Sequence, residues 1–233
     1  MKIALIGDSL TEGRPGVSFF NILEEKFPNI SFDNLGKPGE SVKSLYTRLL
    51  KTKLDRDYDL IFLWIGVNDV YSKMLSVQAQ PAAKNHNEFK AYYEKILDLI
   101  LSSSKKVVAV TPALVGENAN NTPNHEIKEL NLLIQSITRD QVNVSFLDIH
   151  SVFLTHLSKV NSSDYISTKV MRVMVDVLFY KKPSRIDRLS KKRGLHLTLD
   201  GIHLNSAGAE IVAEIYASEI TRLTYKNQDA IQS

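Results

Sequence analysis

The chain has 233 residues, 43% hydrophobic and 24% charged, with a formal net charge of +3 and no cysteine. That length suits one domain, or one domain with an insertion, and its apolar content excludes disorder over most of the chain. Without cysteine there is no disulfide framework, thiolate metal site or cysteine nucleophile.

The amino-terminal MKIALIGDSL breaks its apolar run at Asp8. A secretory h-region needs roughly 7–15 apolar residues and a spanning helix about 20, so a soluble, cytoplasmic protein is the expectation. Lys2–Gly7 reads as the first strand and Val17–Phe27 as the first helix. Ile30–Leu35 is a second strand, followed by a helix over Ser41–Leu54. Asp59–Gly66 and Lys106–Thr111 are further strands, with a helix over Glu88–Ser103 between them. Asn124–Asp140 is helical, and Val144–Ile149 is a fifth strand. The first, third and fourth strands are nearly continuous apolar runs, the pattern of parallel strands covered on both faces.

From Ser151 to Leu199 there are ten Lys/Arg against three Asp/Glu. The rest of the chain is net negative, so 151–193 is expected to be a helical insertion with its own surface character. A last helix, about Ser206–Leu223, is expected to start on a serine cap. Residues 1–225 then form a single domain and 226–233 a frayed tail. Alternation of β and α implies an α/β, doubly wound, mainly parallel five-stranded sheet with helices on both faces.

Ligands of such sheets bind beyond the carboxyl ends of the strands. There the sequence places Gly7-Asp8-Ser9-Leu10, a turn with Gly36 and Gly39, Gly66-Val67-Asn68-Asp69, and Asp200-Gly201-Ile202-His203 before the last helix. A hydroxyl nucleophile needs a base, something to orient the base, and donors for an oxyanion. Ser9 directly follows the first strand. Asp200 stands three residues before His203, a spacing that lets the carboxylate hold one ring nitrogen while the other faces Ser9. Ser9 and Gly39 offer backbone N–H groups, and Asn68 a side-chain N–H. Asp8 reads as structural, satisfying N–H groups of its own turn.

In order and spacing these four blocks resemble the SGNH hydrolases, also called the GDSL esterase/lipase family, across essentially the whole chain. The resemblance implies a flavodoxin-like sheet and hydrolysis of esters through an acyl-enzyme, without metal or cofactor. It implies Ser9 as nucleophile, His203 as base and Asp200 as its orienter, with Ser9, Gly39 and Asn68 forming the oxyanion hole. Gly36 competes with Gly39. Gly39 is preferred because the family's donor glycine is usually followed two residues on by Ser or Thr, here Ser41. His196 competes with His203, but Asp200 follows it by four residues instead of preceding it. His86, His125, His150 and His156 lack metal-ligand spacing. The departure from the family is the long basic segment before Asp200.

The partners expected are small-molecule, lipid or carbohydrate esters, the leaving group and acyl chain staying open. A rival reading is a nucleotide- or phosphate-binding module, but the first loop has neither Gly-Lys nor Gly-x-Gly-x-x-Gly. Lys181–Arg193, with seven Lys/Arg and one Asp, raises nucleic-acid binding, yet such a run is more often a solvated face and stacking aromatics are missing. A catalytically dead relative is opposed by the residue type at every catalytic position. Within the insertion, eight of the ten residues from Val170 to Phe179 are apolar. That run, with Val170, Met174 and Phe179, is expected to cap the rim or to pack on the domain or on a second copy of the chain.

Overall fold

The computed structural model describes residues 1–52, 54–55, 57–75, 81–168 and 182–232, the last eight of these by backbone alone. The apolar run 170–179, and with it Val170, Met174 and Phe179, lies outside the described residues.

Five strands, β1 (Lys2–Gly7), β2 (Ser31–Gly36), β3 (Leu60–Trp64), β4 (Val107–Val110) and β5 (Val144–Leu147), form one sheet in the order β2-β1-β3-β4-β5. Every pairing is parallel. The three central strands are those read as continuous apolar runs, and β3 and β4 are buried throughout. The edge strands β2 and β5 are only partly covered, and their sequences are correspondingly mixed.

The helices are α1 (Ser9–Glu12), α2 (Phe19–Lys26), α3 (Val42–Lys51), α4 (Val67–Tyr71), α5 (His86–Leu101), α6 (Thr122–Thr138), α7 (Ile149–Leu157), α8 (Pro183–Lys192) and α9 (Ser206–Gln232). α2 packs on α9 on one side, while α3, α5 and α6 pack together on the other, as right-handed crossovers require. Phe62 and Trp64, two apart in β3, both face the α2–α9 layer. Phe62 stacks on Tyr216 of α9 with centroids 4.3 Å apart, and Phe19 of α2 packs on Trp64 at 5.6 Å. Burying one such ring stabilises the fold by about 1.5–3 kcal/mol.

α2 begins at Phe19 and not at Val17, and α3 ends at Lys51, short of Leu54; capping explains two further differences. Asn85 and Asn121 cap α5 and α6, so both begin two residues earlier than their apolar periodicity suggests. The last helix is capped by Asn205, whose Oδ1 accepts from Gly208 N–H at 3.0 Å, and not by Ser206. Ser206 instead gives its N–H and hydroxyl to Asp187 of α8, at 3.0 and 2.8 Å. α9 also continues to Gln232, beyond the Leu223 suggested by its apolar face. No described helix is long and apolar enough to cross a membrane.

Candidate active site

The order β2-β1-β3 places the loops after these three strands side by side, and two short helices rise directly from two of them. At the end of β1, the Asp8 carboxylate caps α1 by accepting Leu10 N–H at 2.9 Å. This places Ser9 on the first turn of α1, at the carboxyl edge of the sheet. At the end of β3, Gly66 turns the chain into α4 with φ +125°. A Cβ there would meet Pro112 at 2.8 Å and Phe89 at 3.3 Å, so only glycine fits. That turn sets Asn68 in the first turn of α4.

The last block closes on itself. Leu199 N–H donates to His203 C=O at 2.6 Å and Asn205 N–H to Leu197 C=O at 3.1 Å. Asp200 and His203 sit inside this closed loop. The Asp200 Oδ1 accepts the N–H groups of Ile202 and His203 at 3.1 and 2.9 Å, and its Oδ2 lies 2.8 Å from His203 Nδ1. On the opposite side of the ring, His203 Nε2 lies 2.9 Å from Ser9 Oγ. All three side chains are buried, Ser9 at 4%, Asp200 at 2% and His203 at 6% exposure.

The electrostatics fix the charge of Asp200 and with it the Nδ1 proton. Burial alone raises the Asp200 carboxyl, but the His203 ring and the backbone N–H groups of His203 and Ile202 outweigh it. The carboxyl is therefore held below its ordinary value and is ionised at neutral pH. An ionised carboxylate only accepts, so Nδ1 carries a proton, and in the neutral imidazole Nε2 then presents a lone pair to the Ser9 hydroxyl.

Asn68 and Gly39 lie on the same rim. Asn68 Nδ2 donates to Glu40 C=O at 3.0 Å and to Asp8 Oδ2 at 3.2 Å. Glu40 is itself fixed, its buried carboxylate held by Arg48 through two 2.7 Å contacts. Gly39 has φ +74° and no atom within 4 Å of where a Cβ would stand. Its N–H has no partner among the described residues. Gly36 differs: its N–H is spent on Asn34 Oδ1 at 3.0 Å and a Cβ would strike the backbone of Glu12. His196 is not in this cluster, for its ring faces Asn161 C=O at 3.3 Å. Burial, against the Leu10 amide and the nearby His203, raises the Asp8 carboxyl to about 7. Among the described residues no group of three or more acidic or histidine side chains is arranged to hold a metal ion.

The described part of the insertion runs beside this cluster. Ser167 N–H donates to Asp200 C=O at 2.9 Å, and the Tyr71 hydroxyl of α4 donates to Ser167 C=O. Two further contacts had no signal in the sequence. The Glu117 carboxylate, in the loop after β4, accepts from the backbone of residues 196–198, and the Arg193 guanidinium donates to Leu199 C=O at 2.9 Å. The Glu117 contacts join segments far apart in the chain, while Arg193 braces Leu199 within its own segment.

This sheet, with a buried Ser–His–Asp chain at its carboxyl edge, defines a serine hydrolase of the flavodoxin-like type. Residues 3–215 match the GDSL-like Lipase/Acylhydrolase family, and the chain belongs to that family. It is an ester-hydrolysing enzyme. Among solved structures it is similar to the acetyl xylan esterase AlAXEase, with 22% identity and a TM-score of 0.70 over 94% of this chain and 100% of the other. It is also similar to Axe2, an acetylxylan esterase from Geobacillus stearothermophilus, with 18% identity and a TM-score of 0.67 over 94% and 93% of the two chains. LAE5, an alpha/beta hydrolase enzyme from the metagenome of Lake Arreo, Spain, gives 17% identity and a TM-score of 0.68 over 93% of each chain. Catalytic mutants of Axe2 replace a serine, a histidine and an aspartate three residues before that histidine. No curated protein sequence matches the chain.

Proposed function

We propose that this chain hydrolyses carboxylic esters through an acyl-enzyme on Ser9. The observation that carries the reading is the unbroken chain Ser9 Oγ–His203 Nε2 at 2.9 Å and His203 Nδ1–Asp200 Oδ2 at 2.8 Å. Ser9 attacks the ester carbonyl as Nε2 takes its proton. The Ser9 and Gly39 N–H groups and the Asn68 amide receive the oxyanion. Gly39 is suited by its unpartnered N–H, and Asn68 by exchanging its longer contact, that with Asp8. The protonated ring then hands its proton to the leaving alkoxide. Water, activated by the same nitrogen, attacks the acyl-serine and restores Ser9. These steps need no cofactor.

A serine-directed phosphonate is expected to add covalently at Ser9, read by peptide mass spectrometry. Labelling at another serine, or none in an active preparation, overturns the assignment. Turnover should be followed on acyl esters of increasing chain length and on an acetylated carbohydrate. The last belongs in the panel because AlAXEase and Axe2 are acetyl xylan esterases.

The insertion is proposed to govern which of these esters enters. Its support is position: Ser167 is tied to Asp200, and Ile166 lies where a Cβ on Gly201 or Gly116 would strike it. Polar substitutions at Met174 and Phe179 are therefore expected to change chain-length preference while acetyl-ester hydrolysis survives. Unchanged selectivity in a folded variant rejects that role, and loss of the fold or of a dimer assigns the run to packing.

A further inference from the structure

We infer that Glu117 is a positioning residue whose buried carboxylate sets the height of the Asp200–His203 loop against Ser9; this rests on the site reading above. Glu117 lies in the loop between β4 and α6 and is 3% exposed. One oxygen, Oε1, accepts three donors at 2.8 Å each: the N–H groups of Leu197 and Thr198 and the Thr198 hydroxyl. The other, Oε2, accepts His196 N–H at 2.7 Å.

Three consecutive N–H groups of an extended strand point alternately to opposite sides. Here all three converge on one carboxylate, so 196–198 is curled into an anion-holding nest. Among the described residues no Lys or Arg pairs with Glu117, so these four donors alone meet its charge. A buried carboxylate pays a desolvation cost unless its hydrogen bonds are complete, which makes this arrangement demanding of geometry.

The carboxylate is held as firmly on its own side. Asn124 Oδ1 accepts Val115 N–H at 2.9 Å while its Nδ2 donates to Gly116 C=O and Asn118 C=O. Asn121 Nδ2 donates to Val115 C=O at 2.9 Å, and Gly116 N–H donates to Gly201 C=O at 2.6 Å. The start of α6 thus clamps the 115–118 loop, and that loop clamps the catalytic loop at two places. Its base is held through Glu117 and its tip through Gly201.

Ser9 stands on a different element, at the end of β1. The Ser9–His203 distance is therefore set by how deeply the 196–205 loop is seated, and Glu117 is the seat. A displacement of about 1 Å at a reacting group costs on the order of 10²-fold in rate. The Glu117 carboxylate contacts residues 196–198 and neither Ser9 nor the His203 ring, so its effect is expected in kcat and not in KM.

The test uses three variants of the full chain, measured for kcat, KM, Tm and rate of phosphonate labelling at Ser9. Glu117→Gln keeps an acceptor for the three-donor side but turns an NH2 toward His196 N–H; kcat should fall about 10-fold. Glu117→Ala removes every acceptor and should lower kcat about 10²-fold, with KM within about twofold. Thr198→Val deletes one donor while leaving the carboxylate, and should lower kcat severalfold. If Glu117→Ala does not fold, the Gln and Thr198 variants decide. Ile134→Val, in the core of α6, supplies a comparable loss of Tm with kcat unchanged. Unchanged kcat and labelling rate in Glu117→Gln and Thr198→Val overturn the inference, as does a loss of kcat that merely tracks Tm as in Ile134→Val. An active wild-type chain that is not labelled at Ser9 overturns the site assignment beneath it, a result distinct from either.

Discussion

Asp200→Asn is expected to lower kcat about 10⁴-fold at neutral pH while changing KM little, the loss that follows when a triad carboxylate becomes an amide. That corresponds to about 5 kcal/mol of transition-state stabilisation. The reason lies in the two sides of the carboxylate. Oδ1 accepts the backbone N–H groups of Ile202 and His203, and an amide oxygen can keep both contacts, so the loop should retain its shape. Oδ2 faces His203 Nδ1 at 2.8 Å, and there the variant presents an NH2 group. A donor facing Nδ1 drives the ring proton to Nε2, which then points a second donor at Ser9. The base is lost with the charge that stabilised the imidazolium. Steady-state kinetics on a short ester, with Tm as the control for folding, reads the result. A folded Asp200→Asn variant with near-normal kcat would show that His203 is not oriented by Asp200.

The fold was legible where the chemistry is repetitive. β1, β3 and β4 stand out as apolar runs because both faces of the central sheet are covered, and their assigned positions hold within a few residues. α1 and α4 were not legible as helices, since four or five residues carry no 3.6-residue period and both begin in polar tetrapeptides. Two helix starts shifted for a local reason, Asn85 and Asn121 capping ahead of the residues that begin the apolar pattern, and the last helix keeps its start but is capped by Asn205. The family blocks around Ser9, Asn68 and Asp200–His203 were readable because each is contiguous. Glu117 and Tyr71–Ser167 were not, because nothing in a single sequence says which distant backbone a buried side chain will meet.

The Glu117 contact belongs to a physical form that recurs around the rim. The rim is built from loops, whose N–H groups find no ladder to join, and buried carboxylates take the place of the ladder. Asp8 accepts Leu10 N–H, Asp69 accepts Val42 N–H and Ala83 N–H at 2.9 Å each, and Glu117 accepts residues 196–198. Burial raises the Asp69 carboxyl to about 6 in spite of the Ala83 and Val42 amides. Each carboxylate joins the loop it stands on, or the one beside it, to the next. The groups proposed to be catalytic come from four such loops, so their mutual distances depend on these joints as much as on the sheet below.

Asn68→Ala is expected to lower kcat about 10²–10³-fold, the cost of removing one oxyanion donor, while the fold survives. Asn68 also braces the rim, donating to Asp8 Oδ2 at 3.2 Å and to Glu40 C=O at 3.0 Å. Losing those contacts should lower stability by about 1–3 kcal/mol, an effect that must be separated from the catalytic one. The separation comes from where the charge develops. A ground-state ester carbonyl gains little from a neutral amide, whereas a tetrahedral oxyanion gains much, so KM should stay near its original value. Affinity for a tetrahedral boronate on Ser9 should weaken in step with kcat/KM across Asn68→Ala and the parent chain. Glu40 keeps its Arg48 ion pair in the variant, so the Gly39 turn is expected to hold its place and still offer its N–H. If Tm falls while kcat and boronate affinity are unchanged, Asn68 is a brace between Asp8 and Glu40 alone. The oxyanion would then be received by the Ser9 and Gly39 N–H groups.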